Sequence, residues 1–215
     1  MKSLKTIIVA LALSFLAPTA IAQDQNSELD NLNFSQMLKS VDLSKESKAA
    51  DLIRKFQNLE ARNKLMNGPL SPKKGVCNIE ACRNKEVLLI TIPASALFGP
   101  NSTDLLPEAA TYLNPIKRYM KDPDMFRVLL VMHTDNTGSE KYRDNITGDR
   151  VDAVTTWFED NGADTSFTFS YAYGDESPLV PNTSYENRDR NRRLEIYLMP
   201  GEKMLAAAKK GKIDF

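Results

Sequence analysis

The sequence predicts an α/β protein in which helices pack as a layer on a sheet, preceded by a short helical N-terminal region. Three observations predict it. Apolar runs of strand length occur at Glu86 to Ile92 (EVLLITI) and Arg127 to Met132 (RVLLVM). Segments with helical spacing lie between and after them, as expected when strands and helices alternate in one layered domain. Two further segments, Phe167 to Tyr173 and Arg193 to Met199, alternate as strands do, and Leu194, Ile196 and Leu198 share one face.

The first 22 residues have the three parts of an export signal. Lys2 and Lys5 form a basic start, Ile7 to Ala17 an apolar run, and Ala20-Ile21-Ala22 a small-x-small cleavage site before Gln23. The apolar run is short of the ~20 residues a spanning helix needs, which disfavours an uncleaved anchor. Cleavage would remove two of the 28 basic residues and none of the 28 acidic ones, leaving 26 against 28, a net charge of −2. A broad electrostatic grip on nucleic acid or an anionic membrane is not expected at that balance.

Gln23 to Lys39 is polar and predicts loose order. Ser44 to Met66 has helical spacing with Leu52, Phe56, Leu59 and Met66 on one face, and Asn67-Gly68-Pro69 ends it. That stripe packs on the main domain, or pairs with another chain. Leu70 to Asn84 reads as a connecting loop. It contains Cys77 and Cys82, the only cysteines, and in an exported chain a close pair predicts a local disulfide. The C-x4-C spacing is not that of thiol oxidoreductases. With one histidine in the chain, a metal site is not expected.

Pro107 opens a helix whose buried face is Ala109, Leu113, Ile116 and Met120, with a kink or restart at Pro115. Thr147 to Asn161 forms the next, with Val151, Val154, Trp157 and Phe158 inward and Asn161-Gly162 at its end. Residues 201–215 form a tail with a short helix.

The segment HTDNTGSEKYRDNITGDR, His133 to Arg150, carries the most chemistry. Asp135 leaves the second strand in a polar turn whose backbone N–H groups can accept an anion. Thr147 is placed to cap a helix, with Arg150 in its first turn. A cation there is unfavourable for the helix dipole and asks for an anionic partner. Together Asp135 and Arg150 could hold a zwitterion, one taking an ammonium and the other a carboxylate. The alternative is an internal Asp135–Arg150 bridge that orders the turn. In ENRDRNRRLEI the arginines read as a solvated helix end before a strand, or one of them, Arg192 foremost, reaches a ligand beside Asp135. Asp189 and Glu195 interleave with these arginines, against a nucleic-acid patch. His133 has no nucleophile motif beside it, and the chain lacks a Walker loop, a G-x-G-x-x-G fingerprint and an H-E-x-x-H motif, so no enzyme and no cofactor is expected.

From about Glu86 to Pro200 these blocks resemble the OmpA-like C-terminal domain. The matching elements are Leu97-Phe98 with Asn101-Ser102, HTDNTGS, Ile146-Thr147-x-x-Arg150-Val151, Gly174-Asp175-Glu176-Ser177-Pro178, and Asn187-Arg188 followed by Asn191-Arg192-Arg193-Leu194-Glu195-Ile196. The flavour of the C-terminal part looks most like outer-membrane proteins of the Bacteroides type. The resemblance implies a βαβαβ-type domain with helices on a mixed sheet, spanning residues 86–200. Around it would lie a signal peptide (1–22), a helical region with a disulfide-containing linker (23–85) and a tail (201–215). It further implies non-covalent binding of the diaminopimelate-type peptidoglycan stem in the periplasm, tethering outer membrane or envelope to the wall. Asp135 would contact the ammonium and Arg150 a carboxylate, supported by Thr134, Thr137 and Arg192. Two positions depart from the family: Arg143 follows Tyr142 where asparagine is usual, and Met132 replaces a common glycine. An outer-membrane partner, or a second copy, could dock through Leu52, Phe56 and Leu59. The other reading is an envelope assembly protein with a vestigial pocket, acting through that N-terminal helix.

Overall fold

Five strands form one mixed sheet in the order β1-β2-β5-β3-β4: β1 (Asn78–Cys82), β2 (Val87–Pro93), β3 (Phe126–His133), β4 (Thr168–Ala172) and β5 (Arg193–Pro200). The computed structural model describes residues 29–41, 43, 47–71 and 75–215, together with the backbone but not the side chain of Ser47. The expected signal peptide, Gln23 to Glu28 and the first residues of the Ser44 helix lie outside the described residues. The chain divides into two units, Met1–Leu32 and Asn33–Phe215, and everything below concerns the second. Among the described residues no helix is long and apolar enough to cross a membrane.

The sheet is antiparallel except for β3 and β4, which run parallel. β5 lies between β2 and β3, and Pro93 and His133 are both register partners of Arg193. The carboxyl ends of β2 and β3 therefore meet the amino end of β5 at one edge, and that edge carries the candidate-site loops. Leu88, Ile90 and Ile92 of β2 lie level with Leu198, Ile196 and Leu194 of β5, and these with Val128, Leu130 and Met132 of β3. All nine are buried, which gives the core one continuous aliphatic layer.

Alternation in β5 predicts one covered face, yet all eight of its residues are buried, as are all eight of β3. The second face is covered because residues expected to be loosely ordered form a helix, α1 (Phe34–Lys39). Asn33 and Gln36 cap it reciprocally, each side chain accepting the other's backbone N–H at 2.9 Å. Its Phe34 ring packs on Tyr171, Tyr173 and Tyr197 of the sheet, and Met37 is fully buried.

The predicted Ser44–Met66 helix is present but changes pitch. α2 (Ser47–Lys55) continues into a π-helical turn (Phe56–Ala61) and then α3 (Arg62–Met66). The wider turn rotates the buried face, so that Ile53, Phe56, Gln57, Ala61 and Leu65 point inward while Leu59 is 49% exposed. The stripe Leu52, Phe56, Leu59 is therefore not one surface. Phe56 packs against Phe126 and Phe215, and no docking face can be built from the three. Gln57 donates its amide to the carbonyls of Glu86 and Leu198, which ties the π turn to the sheet end opposite the functional edge.

The segment read as a loop supplies β1, paired antiparallel with β2 around Arg83, Asn84 and Lys85, all at positive φ. No glycine marks that turn, and the strand is only five residues long. Cys77 immediately precedes the extended strand and Cys82 ends it, which puts them about 16 Å apart at the usual rise per residue. A disulfide requires Cα atoms within about 7 Å. The disulfide expectation is corrected: both are free thiols.

α4 (Ala109–Lys117) runs through Pro115 without restarting and then tightens into a 3-10 turn at Arg118–Met120. Its predicted buried face is buried. α5 (Glu140–Asp160) lies along β3 and β4, with Val151, Val154 and Phe158 buried and Trp157 partly exposed. α6 (Tyr185–Asn191) leads directly into β5, and α7 (Glu202–Lys209) packs on α2. The chain can enter α7 only through glycine: a Cβ on Gly201 would lie 2.1 Å from the Asp124 carbonyl.

Candidate functional site

β3 ends at His133 and delivers Thr134 and Asp135 into a turn. The Thr134 N–H donates to the Gly174 carbonyl at 2.8 Å, which fixes the exit. Asp135 then folds the turn on itself: its Oδ1 accepts the Thr137 N–H at 2.7 Å and the Thr137 hydroxyl. Gly138 follows at φ +84, with the Tyr142 ring where a Cβ would point. Ser139 caps α5 by accepting the Tyr142 N–H.

The helix thus starts at Glu140, not Thr147. Thr147 lies in its interior, donating to the Arg143 carbonyl at 2.9 Å and accepting the Gly174 N–H at 3.2 Å. Arg150 is also interior, and the helix dipole places no demand on it. Its demand comes from burial. Arg150 is 5% exposed, stacks 4.9 Å from the Phe98 ring centre, and donates to the carbonyls of Ser102 (2.9 Å) and Gly99 (3.3 Å). Burial lowers its pKa, Tyr142 opposes this, and the nearby Arg192 charge adds to the lowering. Among the described residues, no carboxylate pairs with it.

The structure does not join Asp135 to Arg150. Asp135 Oδ2 instead accepts from Arg192, whose guanidinium also reaches Asp189 at 3.0 Å and lies 5.5 Å from the Tyr185 ring. Burial alone would raise the Asp135 pKa, but hydrogen bonds from Thr137 and Arg192 outweigh it and hold the group below its usual value. Asp135, Thr134, Thr137 and Arg192 come together at one edge, with Arg150 nearby on α5.

The sequence reading assigned no role to three contributors, and quoted Phe98, Asn101 and Ser102 only as part of the family-like pattern. Phe98, Gly99 and Ser102 hold Arg150, and the left-handed Asn101 (φ +54) in their loop accepts a hydrogen bond from Tyr142. Gly99-Pro100 was the available turn signal. Arg143, noted only as a departure, ties the site together: its Nε donates to Asp175 at 2.6 Å and its Nη1 to the Gly138 carbonyl at 2.7 Å. His133 lies 3.5 Å from Glu195, and among the described residues neither ring nitrogen finds a hydrogen-bond partner. Burial lowers its pKa. Glu195 is buried, which raises its pKa, yet His133, the Tyr197 hydroxyl and the Arg193 charge hold it at about 2. A cavity of about 660 Å³ opens beside β1 and β2. Neither Asp135 nor Arg150 lines it, though Asp189, Arg193 and Glu195 do.

Residues 97–192 match the OmpA family. That stretch is similar to the OmpA family. Over 122 residues it is 25% identical to the probable lipoprotein YiaD of Escherichia coli, covering 57% of this chain and 56% of YiaD. It is 30% identical to the outer-membrane lipoprotein YfiB of Pseudomonas aeruginosa over 51% of the chain and 64% of YfiB. It is 29% identical to the peptidoglycan-binding protein ArfA of Mycobacterium bovis over 46% of the chain and 30% of ArfA. The chain therefore spans less than two thirds of the length of each. In fold, the chain is similar to a putative MotB-like protein from Desulfovibrio vulgaris, with TM-score 0.61 and 24% identity, covering 71% of this chain and 98% of that one. The cell wall anchor of the T6SS from Pseudomonas aeruginosa matches with TM-score 0.55 and 23% identity, over 64% and 95%. The mixed sheet with packed helices is the architecture the sequence predicts.

Proposed function

We propose that this protein binds peptidoglycan without cleaving it and tethers the cell envelope to the wall. The observation that carries the reading is Arg150: a buried guanidinium anchored by two carbonyls and a ring, with no carboxylate beside it among the described residues. Desolvating a cation is costly unless an anion compensates it, and a ligand carboxylate is the anion that fits. Asp135, held ionised in its turn, is the complementary group for an ammonium. A stem-peptide residue such as diaminopimelate carries both charges. Thr134 and Thr137 shape the turn, and Arg192 stands beside Asp135.

ArfA, a relative by sequence, is named for peptidoglycan binding, and YiaD and YfiB as lipoproteins, which supports a place in the envelope. We assign residues 1–22 as an export signal, 86–200 as the ligand-binding part and the periplasm as its location. The alternative, an assembly role through Leu52, Phe56 and Leu59, loses its surface because Phe56 is buried.

Co-sedimentation with purified sacculi tests the reading. Wild type is expected to pellet, while folded Asp135→Ala and Arg150→Ala variants stay in solution. Equal pelleting of all three would overturn it.

A further inference from the structure

Resting on that reading, we propose that Arg192 is a displaceable stand-in for the ligand's ammonium, with Asp189 as the berth it retreats to.

The argument starts from access. Asp135 has spare acceptor capacity: two oxygens offer about four lone-pair sites, and Thr137 and Arg192 use three. Yet its side chain is only 2% exposed, and Arg192, at 24%, contacts its Oδ2. An ammonium from solution cannot reach Asp135 while Arg192 stays. Arg192 need not lose its charge partner to leave. Its second nitrogen already donates to Asp189, whose side chain is 43% exposed, and the Tyr185 ring lies against its guanidinium. A small rotation toward Asp189 keeps one ion pair and frees the other.

Charge counting gives the direction. The ligand-free site has two cations, Arg150 and Arg192, and two carboxylates, Asp135 and Asp189. Arg192 engages both carboxylates, so Arg150 has none. A zwitterion completes three pairs: its ammonium with Asp135, its carboxylate with Arg150, and Arg192 with Asp189. A dicarboxylate lacking the ammonium gives no reason for Arg192 to move. The stand-in thus makes the site select ligands carrying both charges, because only these repay displacing it.

Calorimetry with meso-diaminopimelate and with pimelate tests this on wild type, Arg192→Ala, Asp189→Asn and Arg150→Ala. Arg192→Ala is expected to bind diaminopimelate about tenfold more tightly and pimelate no better. Asp189→Asn, an exposed change that leaves the Asp135 contact intact, is expected to weaken diaminopimelate roughly fivefold. If Arg192→Ala instead weakens both ligands and Asp189→Asn changes neither, Arg192 contacts the ligand directly and the proposal fails. If Arg192→Ala does not fold, the Asp189→Asn result decides alone: unchanged diaminopimelate affinity overturns the proposal. If Arg150→Ala binds as wild type does, the failure belongs to the peptidoglycan reading itself.

Discussion

The guanidinium of Arg150 lies 4.9 Å from the ring centre of Phe98 and meets carbonyls where a buried cation would ordinarily meet a carboxylate. Such a group costs the fold stability, and the proposed reading gives it a role in binding. Arg150→Met should therefore separate the two. Thermal unfolding is expected to stay within about 1 kcal/mol of wild type, since the lost hydrogen bonds and the lost desolvation cost oppose each other. Sacculus binding should fall about 10- to 100-fold, the worth of one charge-assisted contact.

Arg143 holds the turn that presents Asp135. It bridges Asp175 and the Gly138 carbonyl, which joins the start of α5 to the turn after β4. Arg143→Ala should loosen this turn and weaken binding although Asp135 and Arg150 are intact. A double-mutant cycle with Asp175→Asn should give a coupling energy of about 1 kcal/mol, as expected for a half-buried pair. Zero coupling in denaturant unfolding would refute the bridge.

Acid should destabilise the protein in two stages. His133 has a folded pKa below its ordinary 6.5, so the unfolded chain takes up its proton first, and stability falls as pH drops below about 6.5. Glu195 is depressed from 4.5 to about 2, so its contribution is present above 4.5 and is lost as pH falls toward 2. His133→Phe should remove the upper stage and shrink the lower one in urea unfolding across pH, because His133 is among the groups that hold Glu195 down. A stability curve that is flat from pH 7 to pH 3 would contradict both.

The thiols should behave as one buried and one half-buried group, unlinked. Burial pushes Cys77 up to about 12, and burial with the Glu80 charge pushes Cys82 to about 11. At pH 8 neither should label quickly with a thiol reagent, and two labels should appear on denaturation. Reductant should leave the melting temperature unchanged. A native mass two hydrogens light would show a bridge instead.

Periodicity by itself determined the layered fold: β2, β3, β4, β5 and the buried faces of α4 and α5 follow from apolar spacing, because burying those stripes is what drives the chain together. The five-block pattern from Leu97 to Ile196 likewise determined which loops gather at the functional edge. Three matters were decided only in three dimensions. β1 is too short and its turn too poor in glycine to announce itself, and pairing with β2 is what makes it a strand. The π turn at Phe56–Ala61 shifted the buried face of the N-terminal helix, since no spacing rule foresees an added residue per turn. The partner of Asp135 was decided by strand order. β5 lies against β3, and that brings Arg192, 57 residues away in sequence, onto its carboxylate. Arg150, fifteen residues away on α5, is left facing carbonyls and a ring.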